Sequence, residues 1–206
     1  MQFELRHNIA EVERGLSNFA REQVPFAASR AINAIAADVA AAEERRFRAV
    51  LDRPTPFTLR GLMVLRASKR TLAGAVLVRD RQAAYLALQD TGGTRRPKGR
   101  AIPVPVKARL NRFGNLPRGG VAKIAAGAHT FSGRPKGGGA PGIYKRLGAT
   151  ASRKAGFQLS MPVAWAARAS YRPRLEFLRT ARRAAARAAA PAFERALSDA
   201  IATARR

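Results

Sequence analysis

Between Asn8 and Gln23, Ile9, Val12, Leu16 and Phe19 recur at helical spacing, with Glu11, Glu13 and Arg14 on the other face. This periodicity predicts a first amphipathic helix. Pro25 suits the first turn of a second helix, where a missing N–H costs nothing. That helix is expected to run to about Leu51, with Phe26, Ile32, Ile35, Val39, Phe47 and Val50 on its apolar stripe. Its alanine-rich centre favours helix and lets a neighbour approach closely. Pro54 and Pro56 end it. Gln2–Leu5 reads as a short strand or a leader.

Leu62–Leu65 and Leu72–Val78 are short apolar runs separated by Ala67–Thr71, the pattern of a β-hairpin. Tyr85–Leu88 fits either a strand or a helical turn. Ile143–Leu147 and Phe157–Trp165 look like strands returning to the sheet. Pro173–Ala204 is helical again, with Leu175, Leu178, Ala181, Ala185, Phe193, Leu197 and Ile201 as its stripe and Pro191 as an expected break or kink. The outline is α+β: an N-terminal helical pair, a small antiparallel sheet, a long Gly/Pro-rich basic excursion and a C-terminal helix. The expected organisation is a single domain over residues 1–206, with 91–156 as an extended basic arm or loop region. That segment holds 14 of the 17 glycines and six prolines, too many for long regular elements. It is also too long for an ordinary connection, which suggests ordering on assembly.

Charge sharpens this picture. Residues 91–175 carry 18 basic side chains and no acidic one, whereas 1–90 carry 14 and 10, and 176–206 carry seven and three. A stretch without carboxylates repels itself unless an anion lies nearby. Nucleic acid or an acidic protein surface would serve equally. Arg outnumbers Lys 32 to seven, a bias that a GC-rich genome would also produce, so the missing acids carry more weight than the excess of Arg.

Candidate chemistry is sparse. The absence of Cys removes disulfides, thiol catalysis and Cys-ligated zinc, and two histidines, His7 and His129, cannot build a multi-histidine metal site. Both read as solvated or capping residues. Glu43 and Glu44 diverge as helix neighbours and are expected on a solvated face with Arg45, Arg46 and Arg48. Gly137–Gly139 with Pro141 and Gly142 matches no phosphate-loop spacing and reads as a flexible turn. Asp80 and Asp90 are the acids that a metal-dependent nuclease would have to bring together. Apolar runs fall short of a bilayer span, and Glu4, Glu11 and Glu13 argue against a signal peptide, so an intracellular or assembly-bound protein without a membrane partner is expected. No catalytic, cofactor-binding or metal-ligating residue is assigned, and no enzyme is expected.

The basic run Arg95, Arg96, Lys98 and Arg100 reads either as a nucleic-acid contact or as a solvated loop. With Arg112, Arg118, Arg134 and Lys136 it makes up the candidate DNA or partner contacts. Aromatics are few there (Phe113, Phe131, Tyr144, Phe157), so contact with nucleic acid would go to the backbone without base stacking. The C-terminal helix, its charge interrupted by Glu176, Glu194 and Asp199, reads as a packing helix.

Val24–Ala37, VPFAASRAINAIAA, resembles the opening of the prophage minor tail protein Z family of tailed bacteriophages, where a VP-x-A-A-x-x-A-I-N-x-x-A pattern begins a long helix. Val24, Pro25, Ala27, Ala28, Ala31, Ile32, Asn33 and Ala36 fit it. Asp52–Leu59, Phe113–Gly119, Ala140–Tyr144 and Tyr171–Phe177 resemble motifs of uncharacterised phage structural proteins. Together these segments cover about half the chain, which departs from the family in its longer Gly/Pro-rich middle. The resemblance implies a non-catalytic tail-completion or neck component at the head–tail joint, present in the virion and, during assembly, in the host cytoplasm. It implies a homo-oligomeric ring around the DNA channel, contacting portal, neck or tail-tube proteins. Non-specific backbone contacts to double-stranded DNA are compatible with it. The alternative reading is a free, sequence-independent nucleic-acid-binding protein.

Overall fold

A computed structural model describes residues 19–147 and 158–204; Gln2–Leu5, His7, Phe157 and most of the first expected helix lie outside them. The fold is α+β. A π-helical turn, Phe19–Gln23, leads into α1 (Val24–Val50), followed by α2 (Pro56–Leu59), β1 (Leu62–Leu65), β2 (Ala75–Val78) and α3 (Asp80–Thr91). Then come β3 (Gly93–Arg95), β4 (Ile102–Pro105), α4 (Gly120–Ala125), β5 (Thr130–Gly133), β6 (Gly142–Leu147), β7 (Gln158–Ala166), β8 (Ala169–Tyr171) and α5 (Phe177–Ala204). The described residues fall into two compact units: a helical one from 19–49, 56–84 and 176–204, and a sheet unit from 50–55, 85–147 and 158–175. Tyr85–Leu88 proves to be part of α3.

In the helical unit α1 and α5 meet through small side chains. Ala27 and Ala31 form one buried cluster with Ala192, Ala196 and Ala200, and Ile35 packs against it. Alanines one turn apart remove bulk from both facing ridges and permit close helix approach. The buried stripe of α1 continues through Ala36, Val39, Glu43 and Phe47, the last completely buried. Of the expected stripe, Val39 and Phe47 are buried, Ile32, Ile35 and Val50 half-buried, and Phe26 exposed. Glu43 departs from the solvated face expected for it: it sits four residues from both Val39 and Phe47, so helix geometry carries it inward. Glu44 stays near the surface and pairs with Arg48 at 2.6 Å.

On α5 the large apolar residues are not the packed ones. Leu178, Phe193, Leu197 and Ile201 are exposed, while Ala188, Ala192, Ala196 and Ala200 are buried. The helix runs on through Pro191 rather than breaking there. Glu176 holds both Arg46, at 3.1 Å, and Arg179 beside the α5 N-terminus, where negative charge is favoured. The expected hairpin is present, with Leu62 opposite Val78 and Leu65 opposite Ala75. Asn33 secures it to α1. Its side-chain amide donates to the Ala67 carbonyl at 3.0 Å, and its side-chain oxygen accepts from the Ala67 N–H at 2.8 Å.

The described part of 91–156, expected as an extended basic arm or loop region, lies in the sheet unit. Within its described part, β3, β4, α4, β5 and β6 are short regular elements of a folded body. Glycine and proline limited their length without preventing them. An antiparallel sheet runs β4–β7–β6–β5, and β3 pairs separately with β8. Pro103 and Pro105 are tolerated because β4 is an edge strand, where lost N–H donors cost no ladder bond. Between Ile143 and Lys145 the β6–β7 register shifts. This bulge lets the consecutive residues Ile143 and Tyr144 both be buried, and it accommodates Pro162 inside a central strand. Tyr144 stacks on Phe131 at 5.5 Å between ring centroids, and its hydroxyl donates to the Ala140 carbonyl at 2.6 Å.

Candidate nucleic-acid interface

Residues 50–55 and 85–175 carry 19 basic and two acidic side chains, against 20 and 11 in the rest of the chain. The two acids are Asp52 and Asp90. The Arg53 guanidinium, hydrogen-bonded to Asp52 at 3.1 and 3.2 Å, holds that carboxyl below the usual carboxylate range. The sheet unit therefore has almost no means of neutralising its own cations.

Strand register shows how these cations are distributed. Gly133 faces Gly142, Gly142 faces Ala164, and Ile102 faces Ala166. The β5–β6 turn and the chain leading into β4 therefore sit at the same end of the four-stranded sheet. That end receives Arg134 and Lys136 from the turn, and Arg96, Lys98 and Arg100 from the β3–β4 connection. Arg95 closes β3. Arg112 and Arg118 lie in the connection that leaves β4 from the opposite end, and the Arg112 guanidinium sits 4.7 Å from the Phe113 ring centroid. All eight candidate contacts are exposed, and among the described residues none of them pairs with a carboxylate.

At that opposite end the structure assembles a group that no stretch of sequence brings together. A 360 Å³ cavity is lined by Lys107 and Arg109 just after β4, Lys123 on α4, His129 and Thr130 at the start of β5, and Lys145 on β6. The backbone around it is tied down. Val106 and Lys107 N–H groups donate to the Pro162 carbonyl at 2.9 and 3.3 Å, and the Arg146 N–H donates to the His129 carbonyl at 2.9 Å. The Thr130 hydroxyl lies 2.8 Å from the Ala125 carbonyl and 2.6 Å from that of Gly127, closing the end of α4. His129 adopts φ 60° and is exposed. Sequence reasoning missed this cavity: three of the seven lysines line it, but in the sequence they stand far apart and each reads as a solvated charge.

A larger cavity of 440 Å³ lies between α1 and α5, where Arg45, Arg183 and Arg187 share the lining with Asp38. Its charge is partly compensated by that carboxylate.

No protein-family model, curated protein or solved structure matches this chain. The reading of the interface therefore rests on charge and geometry. Asp80 and Asp90 stand at opposite ends of α3, about 15 Å apart along its axis, and do not converge on one ion. Among the described residues no group of three or more His, Asp or Glu side chains is placed to hold a metal. No described helix is long and apolar enough to cross a membrane.

Proposed function

We propose that this chain is a bacteriophage virion structural protein: a minor tail, tail-completion or neck component at the head–tail joint, assembled in several copies around the DNA channel and acting without catalysis. The observation that carries this reading is the segregation of charge into a folded sheet unit whose described residues carry 17 basic and two acidic side chains. Such a unit repels its own copies unless an anionic surface sits among them, and DNA in a channel, or an acidic portal or tube wall, supplies one. The resemblance of Val24–Ala37 to the tail protein Z family points the same way. Asn33 of that segment has a definite structural task in clamping Ala67.

The exposed apolar ridge of α5 supports assembly in several copies. Phe193, Leu197 and Ile201 follow one another at intervals of four and stand 46%, 45% and 41% exposed. A contiguous apolar row is the kind of surface that a second copy can cover. Phe193→Glu combined with Leu197→Glu is expected to shift the purified protein towards monomer in light scattering, with its melting temperature unchanged. A large drop in melting temperature would mean that the ridge packs within the chain itself.

The same acid-free unit favours a second reading, a free nucleic-acid-binding protein indifferent to sequence. Mass spectrometry of gradient-purified virions, with heads and tails separated, decides between the two. Recovery in the tail or neck fraction in a handful to a dozen copies supports the virion component. Absence from virions, with abundance in the lysate, overturns it. Neutralising Arg95, Arg96, Lys98 and Arg100 together to Gln should leave the circular dichroism spectrum unchanged while impairing particle assembly or DNA retention. All four are exposed and outside the core. Loss of the fold in that variant would count against a contact role.

A further inference from the structure

We propose that the cavity bounded by Lys107, Arg109, Lys123 and Lys145 is a phosphate-binding site, occupied by the backbone phosphates of nucleic acid. It is distinct from the eight contacts inferred from sequence, and it holds under either functional reading above.

Convergence is the first ground. Four cations arrive from three elements separated in sequence, after β4, on α4 and on β6, and face one 360 Å³ space. The strand register that places Lys145 opposite Thr130, and the Pro162 carbonyl that accepts from the Lys107 N–H, fix where two of them emanate. Like charges gathered on a pinned scaffold repel one another, and an anion held among them offsets that repulsion.

Composition of the lining is the second ground. It contains no carboxylate, so the cations have no partner within the cavity, and among the described residues none of the four forms an ion pair. The α1–α5 cavity, by contrast, includes Asp38. Nor does the lining contain an aromatic ring other than His129. A base would find little stacking surface, so recognition is confined to the phosphate and is blind to sequence. The third ground is the choice of lysine in a chain with 32 Arg and seven Lys. The ammonium is a compact charge whose three donors rotate to meet phosphate oxygens from several directions. Inorganic diphosphate presents the same chemistry as the backbone and serves as the small probe.

The test uses the full chain and two double variants, both at exposed positions. One is Lys123→Gln with Lys145→Gln in the cavity. The other, Arg134→Gln with Lys136→Gln, removes equal charge at the other end of the sheet. Diphosphate binding is followed by calorimetry, and binding of a labelled DNA duplex by fluorescence anisotropy across a salt series. Circular dichroism checks the fold of each variant.

The cavity variant is expected to lose diphosphate binding. It should also bind duplex about tenfold more weakly for unrelated sequences, with a salt slope reduced by about two. The control should keep its diphosphate affinity. Loss of diphosphate binding with duplex binding unaltered would overturn the assignment to the nucleic-acid backbone and leave a site for a free phosphate. Unchanged diphosphate affinity in the cavity variant, or an equal loss in both variants, would overturn the proposal. Either result is independent of whether the protein is found in virions.

Discussion

Phe47→Ala is expected to destabilise the helical unit by about 3–5 kcal/mol, the range for truncating a fully buried aromatic side chain. Phe47 has no solvent exposure and lies four residues beyond Glu43 on the buried face of α1. The cost combines lost burial with whatever volume the neighbouring side chains leave unfilled. Urea denaturation followed by circular dichroism, which weights the long helices α1 and α5, measures it. A loss below about 1 kcal/mol would mean that the ring contributes far less packing than its burial implies.

Gly142→Ala should have a comparable effect on the sheet unit, about 3 kcal/mol or more, at the upper end for overpacking because the obstacle is backbone. A Cβ there would lie 2.5 Å from the Val163 carbonyl oxygen and 3.3 Å from the Ala164 Cα. Both belong to β7, the strand against which β6 is paired. Relief requires parting β6 from β7 beside the bulge that buries Ile143 and Tyr144. Trp165, the single tryptophan, lies in β7 and donates from its backbone N–H to the Pro141 carbonyl at 2.7 Å, so its fluorescence reports this unit directly. An unaltered fluorescence transition in urea would show that β6 and β7 can separate locally without cost.

These two positions show different degrees of legibility. Phe47 was assigned to the buried stripe from periodicity alone, because a large apolar residue at helical spacing has few other places to go. Gly142 was read as part of a flexible turn. Its need for close approach depends on β7, which is reached only through the chain beyond Leu147, and no local pattern encodes it. Glu43 was misplaced for a similar reason. Its polarity argued for solvent, but its position one turn from both Val39 and Phe47 overrode that preference once α1 packed.

The candidate interface divides along the same line. That residues 91–175 lack acids is written in the sequence, and so is the exposure of Arg95, Arg96, Lys98 and Arg100 beside glycine and proline. The meeting of Lys107, Arg109, Lys123 and Lys145 is not. Those residues are scattered over nearly forty positions, and each alone resembles a solvated charge.

By itself the sequence determined what depends on neighbours within a few residues: the two long helices, the β1–β2 hairpin, the strands β6 and β7, the α+β class and the concentration of positive charge. Helical and strand periods, proline stops and the count of carboxylates are local quantities. Only the tertiary structure decided which helix faces are buried, how the Gly/Pro-rich stretch folds and where its cations converge. Close approach of α1 and α5 selected their alanines over the larger Phe193, Leu197 and Ile201. Edge placement made Pro103 and Pro105 acceptable in β4, and strand register carried Lys145 to Thr130. Each of these outcomes depends on contacts between segments distant in the chain, and such contacts leave no periodic trace in either segment alone.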